Sequence, residues 1–253
     1  MKIAVLVKEV PDMEALVKVG ADGRSVEVEK KRCLNYFDEI AVEAALRLKA
    51  SAGGSVYAVT AGSGTGLDAL RRALAMGCDE ARFIDDPALK DASSLTVARA
   101  LAALLKKEGF EIIFAGRQAT DDEAGFMGPL VAEMLGIPSV AGITSFEAGA
   151  SVTVTRETDR GTEKLETSLP ALFSTEKGLY EPRVPQVMGL MKAMKAAVPK
   201  VTLAELGVEP APALEAVSYR GPRTRPAVKM IGGDAAAASA ELVRLLREEA
   251  KAL

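Results

Sequence analysis

The chain has 253 residues, 49% of them hydrophobic and 26% charged, enough to bury one sizeable core. Its 35 acidic and 32 basic residues leave a net charge of −3, so no positive excess recommends nucleic acid or an anionic membrane as a partner. Histidine is absent, which removes the commonest general base and the favoured zinc ligand and weakens the case for hydrolytic or metal-dependent catalysis.

The apolar start, Ile3 to Val7, ends at Lys8 and Glu9, too short for the core of a signal peptide, and no later run approaches a spanning length. The expectation is no membrane insertion, with a cytoplasmic location in a bacterium or archaeon and the mitochondrial matrix in a eukaryote. Short runs rich in branched residues, Ile3–Val7, Ser55–Thr60, Ala81–Ile84 and Glu111–Ala115, read as strands. Between them Phe37–Ala50, Gly66–Met76 and Ala92–Lys107 carry helical periodicity. This βαβ order predicts an α/β fold, a three-layer doubly wound and mostly parallel sheet, with its ligand crevice at the carboxyl ends of the strands.

Asn35-Tyr36-Phe37-Asp38-Glu39 opens the first helix. An Asn or Asp cap with aromatic core residues is one reading; with only 4% aromatics in the chain, ring contact with a ligand near the crevice is the other. Cys33 and Cys78 have no CxxC spacing, so reduced thiols and no metal site are expected. Gly62, Gly64 and Gly66 follow a strand, and Asp85 ends the next one, as in a dinucleotide fingerprint. The third glycine of GxGxxG falls on Leu67, however, so a glycine-rich turn feeding a helix start is the competing reading. The stretch Gly116 to Gly128 follows a strand. There Asp121 or Asp122 can cap the next helix, or the amides and dipole of its first turn can hold a phosphate.

Beyond Gly149 the pattern alternates, with SVTVTRE and TEKLETS around Thr158-Asp159-Arg160-Gly161 as an antiparallel hairpin, and LPALFST as a buried strand. After Pro185, Val187, Met188, Leu190, Met191 and Met194 are interleaved with Lys192 and Lys195; this stripe is either core or an adaptable contact surface. Residues 201–226 carry prolines and little periodicity, and a helix follows from about Ala235 to Leu253. The division expected is an α/β domain over 1–200, including a docking loop at about 180–195, and a C-terminal arm over 201–253 that packs on its own sheet or on another chain.

The ordered segments KIAVLVKEVPD, LNYFDEIAVEAALRLK, ALAMGCDEA, GRQATDDEAGFMGP, VTRETDRG, LPAL, EPRVP and MKAMK resemble the β subunit of the electron transfer flavoproteins along essentially the whole chain. The resemblance implies a non-enzymatic electron carrier, a heterodimer whose α subunit holds most of an FAD while the β chain holds AMP and wraps its arm on the partner. Electrons would come from flavin dehydrogenases, such as those of fatty acid oxidation acting on acyl-CoA, and pass to a membrane quinone reductase. Carried over by position, the AMP site would comprise Leu6, Asn35, Tyr36, Phe37, Asp38, Ala61, Gly116, Arg117, Gln118, Ala119, Thr120, Asp121, Asp122, Glu123, Ala124, Gly125, Phe126 and Met127, with the helix-start amides near Ala124 to Met127 on the phosphate. Phe37 would approach the flavin, as would Met13, where some members have tyrosine. Glu157 would pair with an arginine of the partner's FAD domain, and Val187, where leucine is familiar, would anchor docking to dehydrogenases with Met188 and Met191.

Some relatives of this kind hold a second FAD in place of AMP and bifurcate electrons from NADH. Their loop resembles D-G-D, whereas Asp121-Asp122-Glu123 stands here, which favours AMP. A free-standing adenine-nucleotide sensor or hydrolase would need a complete site in one chain, and this chain has neither histidine nor an SGGxDS-type loop. An NAD dehydrogenase would rest on the incomplete glycine motif.

Overall fold

A computed structural model describes residues 1–90, 92–149, 151–210 and 217–253. The strands are β1 (Lys2–Leu6), β2 (Glu9–Pro11), β3 (Val17–Val19), β4 (Val26–Val28), β5 (Arg32–Leu34), β6 (Ser55–Gly62), β7 (Glu80–Asp85), β8 (Ile112–Gly116), β9 (Ser139–Ala148), β10 (Val152–Thr158), β11 (Gly161–Thr167), β12 (Ala171–Thr175) and β13 (Lys200–Val201). The helices are α1 (Tyr36–Ala52), α2 (Leu67–Met76), α3 (Ser94–Glu108), α4 (Met127–Leu135), α5 (Val187–Lys195) and α6 (Ala235–Glu248).

The main sheet runs β11-β10-β9-β12-β8-β1-β6-β7-β13. Every pairing from β9 to β13 is parallel, and β10 pairs antiparallel with both β9 and β11. Strand alternation explains why β1 is apolar from Ile3 onward. Ile3, Val5 and Val7 enter the core on the α1 and α2 face, while Ala4 and Leu6 enter the one beneath α3 and α4. The expected three-layer α/β architecture is present, and the expected helices differ from the observed ones by one or two residues at most ends.

The alternation over 152–167 folds as expected: Thr158 pairs with Gly161 across a two-residue turn, and LPALFST supplies β12, buried at every position. The short strands β2 to β5, together with β9 and β13, were not anticipated. The segment between β1 and α1, polar in its second half, supplies the first four, β2 pairing with β5 and β3 with β4 in two small antiparallel sheets. β9 was missed because Gly142, with φ of +70°, and its register shifts interrupt any simple alternation. β13 extends the sheet beyond β7, and Leu203 just after it is buried, so packing against the sheet continues a few residues past position 200. From 217 onward the arm is almost wholly exposed, Leu245 of α6 being its buried residue. The Tyr219 amide donates to the Gly23 carbonyl at 2.8 Å, which lays the arm beside the β3–β4 hairpin. Among the described residues no helix is long and apolar enough to cross a membrane.

Candidate functional site

The chain runs outward from β1 through β6 to β7 and then returns to place β8 on the other side of β1, so the loops leaving β1 and β8 diverge. Such a reversal point opens a crevice at the carboxyl ends of the strands. A cleft of about 600 Å³ lies there. It is lined by Leu6, Asn35, Asp38, Ala61, Gly116, Arg117, Gln118, Ala119, Asp122, Ala124, Gly125, Phe126 and Met127 of the residues expected from sequence. Tyr36, Phe37, Thr120, Asp121 and Glu123 do not line it. Gly128, the end of the stretch singled out from sequence, lines it too, and Lys8, Arg32, Val59, Lys90, Val97 and Leu101 do without having been anticipated.

Asp38 forms the floor. It is buried in the first turn of α1, and its two carboxylate oxygens accept the Lys8 amide at 2.8 Å and the Gly116 amide at 3.0 Å, tying the end of β1 to the end of β8. Burial pushes this carboxyl up to about 7, against opposing hydrogen bonds from the Asn35 side chain and the two amides and against the Lys8 charge. Gly116 has to be glycine: a Cβ there would stand 2.3 Å from an Asp38 oxygen and 2.7 Å from the Phe37 Cβ. Thr175, at the end of β12, donates to the Phe37 carbonyl at 3.1 Å and completes the brace under the helix start.

Asn35 precedes α1 but its side chain does not cap it, which corrects the capping reading. Its Nδ2 instead donates to the Gln118 carbonyl at 2.9 Å, and its Oδ1 accepts the Thr120 amide at 3.1 Å. One buried amide thus holds the loop after β8 as a strand partner would, satisfying one backbone donor and one acceptor. Lys8, missed from sequence, binds the same loop from the other side, with Nζ at 2.7 Å from Asp121 and 3.0 Å from Asp122. Burial works against the Lys8 charge, but the two carboxylates outweigh it and hold the ammonium above its ordinary value, so it stays protonated. Arg117 pairs with Glu176. The acids and cations named here are therefore largely paired off.

Nor does either aspartate cap α4. Asp122 accepts the Ala124 amide at 3.0 Å within a turn, and the residue before α4, Phe126, makes no side-chain cap. The first-turn amides of Met127 and Gly128 have no intrahelical carbonyl to meet, and Pro129 adds no donor of its own. With the helix dipole behind them, these amides at the cleft wall can hold an anion. Gly128 lets α4 lie close on the sheet, since a Cβ there would sit 3.1 Å from the Leu172 side chain.

The second glycine-rich turn uses its acid internally. Asp85 accepts the Gly64 amide at 2.8 Å and the Lys200 ammonium at 2.7 Å, so the carboxylate a dinucleotide ribose would need is already engaged. Phe37 and Tyr36 are half-buried and meet edge to face at 5.5 Å; Met13 is 74% exposed between β2 and β3. Burial pushes the Cys78 thiol up to about 12, which leaves it an inert apolar residue.

Outside the cleft lining, α5 resolves the two readings of its methionine stripe. Val187, Met188 and Met191 are 72%, 82% and 59% exposed, and Ala193 is the buried residue of the helix. Glu157 stands exposed on β10, where its carboxylate accepts only the Thr162 hydroxyl at 3.0 Å among the described residues.

The family model of the electron transfer flavoprotein domain matches residues 23–206. A Bacillus subtilis protein named electron transfer flavoprotein subunit beta is 34% identical over 258 residues, covering 100% of both chains. The protein of that name from Syntrophomonas wolfei is 38% identical over 224 residues, 84% of this chain and 88% of its own. A probable electron transfer flavoprotein subunit beta from Saccharomyces cerevisiae is 35% identical over 98% of this chain and 96% of its own.

Proposed function

We propose that this chain, which belongs to the electron transfer flavoprotein β-subunit family, works as the AMP-holding half of a heterodimeric electron carrier whose α subunit holds most of an FAD. The observation that carries the reading is the crevice between β1 and β8, where Asp38 and Asn35 fix a loop whose end presents the amides of Met127 and Gly128, unpaired among the described residues. A mononucleotide fits such a cleft. The phosphate would meet the α4 amides, and the base would lie on the apolar wall of Leu6, Val59, Val97 and Leu101.

The flavin, when bound, supplies the redox chemistry, and the protein supplies orientation and partner choice. Met13 and Phe37, the residues expected beside it, do not line the cleft. Met13 is solvent-exposed, as suits a flavin reaching this chain from another subunit. The exposed arm would pack on that subunit, and Glu157, bonded only to Thr162 among the described residues, is available to an arginine there. The apolar face of α5 would dock flavin dehydrogenases such as those acting on acyl-CoA, and the electrons would leave to a membrane quinone reductase.

Acid release from the purified isolated chain tests this directly: chromatography should recover about one AMP per chain and no flavin colour. Stoichiometric FAD in its place would support the bifurcating form with a second FAD.

A further inference from the structure

Between β12 and α5 the chain from 180 to 186 has no helix or strand. A segment of that kind, carrying a docking face at its end, is costly to order at each encounter, since every residue fixed on binding gives up conformational entropy. This segment is held by one buried acid. Glu43, in the middle of α1, is 3% exposed, and its carboxylate accepts Arg183 three times: from Nε at 2.6 Å, from Nη2 at 3.1 Å and from the backbone amide at 3.3 Å. Arg47, one turn along α1, donates to the same carboxylate at 2.9 Å and stacks on the Tyr180 ring at 4.5 Å. Burial pushes the Glu43 carboxyl up, but the two guanidinium groups outweigh it and hold it below its ordinary value.

Arg183 is flanked by Pro182 and Pro185, which restrict the backbone on either side. Beyond them, α5 is seated by backbone approach: a Cβ on Gly189 would stand 2.7 Å from the Ala75 carbonyl oxygen of α2, and Ala193 is buried. The face opposite these contacts carries Val187, Met188 and Met191. The side chains that would meet a partner therefore make little contact with their own protein. Their placement depends on Gly189 at one end and on the Glu43–Arg183 pair at the other.

We propose that Glu43 and Arg183 are positioning residues for partner docking, an ion pair between a buried carboxylate and a half-exposed guanidinium that fixes the 180–186 segment so that the apolar face of α5 is presented ready-formed to a flavin dehydrogenase. The inference rests on the docking role given to α5 above. Its distinctive consequence is a change in affinity without a change in the electron-transfer step, because neither residue lines the nucleotide cleft.

The test uses the heterodimer with its α subunit as electron acceptor for an acyl-CoA dehydrogenase reduced by its substrate. Glu43→Gln, which keeps the shape and removes the charge, and Arg183→Lys, which keeps the charge and loses the fork, should each raise KM for the carrier about tenfold with kcat within about twofold. The double variant should be no worse than the more affected single one, since both break the same link. Amide hydrogen exchange should quicken over 180–191 and stay unchanged over 112–128. Should Glu43→Gln fail to fold, Arg183→Lys carries the test, its side chain being 44% exposed. An unchanged KM in the single variants, or a fall in kcat at constant KM, overturns the proposal. Val187→Ala in the same assay separates the two ideas. If it raises KM while the ion-pair variants do not, only the positioning role falls; if it too leaves KM unchanged, the docking role of α5 falls, and the positioning role with it.

Discussion

At the cleft between β1 and β8, polar groups are matched: the buried Asp38 with two backbone amides, the buried Asn35 with a carbonyl and an amide, and, nearer solvent, Lys8 with two aspartates. On α5 the situation is reversed, with Val187, Met188 and Met191 standing in solvent above a helix that buries Ala193. The first arrangement depends on backbone approach and suits a ligand that stays. The second leaves its apolar side chains mostly in solvent, which suits a partner that comes and goes, because a brief encounter needs a small interface with one good anchor. The contrast implies that damage at the cleft registers in stability and nucleotide content, whereas damage at the face registers in transfer between proteins.

The strongest attempt to break it is Gly116→Ala. A Cβ 2.3 Å from the Asp38 oxygen and 2.8 Å from the Phe37 carbonyl carbon forces the floor apart. The expected loss is about 3 kcal/mol in urea unfolding, as for overpacking where backbone blocks relaxation, together with loss of bound nucleotide. A stable, nucleotide-loaded variant would show that the cleft is more pliable than its contacts imply.

Asp38→Asn sharpens the same side through pH. The carboxyl moves from an ordinary 3.8 to about 7 on folding, so the folded chain binds more protons than the unfolded one between those values. Stability from this group is present in full below about 4 and lost as pH rises through about 7. The variant should lack that decline. It should also be weaker by about 1–3 kcal/mol at pH 5, because its amide turns a donor toward a backbone N–H. Melting curves of both proteins from pH 4 to pH 8 measure the difference, and parallel curves would remove Asp38 as the source of the pH dependence.

On the other side of the comparison, Val187→Ala should lower kcat/KM with a dehydrogenase about tenfold, from two methyl groups worth about 1–2 kcal/mol when buried in the partner. The chain's own unfolding free energy should shift by less than about 0.5 kcal/mol. The smallest expected effect belongs to Glu157→Ala. An exposed ion pair contributes about 0–1 kcal/mol, so the melting temperature should hold while electron-transfer rates change, provided the pair biases a mobile partner domain. Unchanged rates with several dehydrogenases would leave Glu157 a surface residue bonded to Thr162.

Much of the architecture was legible because it follows from local pattern. The apolar run of β1, the helical period of α1 and the two-residue turn between β10 and β11 each state their conformation within a few residues. β9 was not legible: Gly142 breaks its alternation, and its place between β10 and β12 depends on neighbours in space. The methionine stripe of α5 carries the same helical period whether it faces core or water. Only the seating of Gly189 on α2 decides which.

By itself, then, the sequence determined the doubly wound fold with its crevice at the strand ends, and its resemblance to the electron transfer flavoprotein β subunits implied that the loop after β8 and the start of α1 share that crevice. Parallel βαβ order places strand ends together, and local periodicity states the order. What each polar residue does, there and before α5, was decided by tertiary structure alone. Asn35 reaches 83 positions along the chain to Gln118, Thr175 reaches 138 to Phe37, and Arg183 reaches 140 to Glu43. A side chain near a helix start can cap that helix or satisfy a distant strand end with the same donor and acceptor. The choice falls to whichever buried backbone group the fold would otherwise leave unpaired.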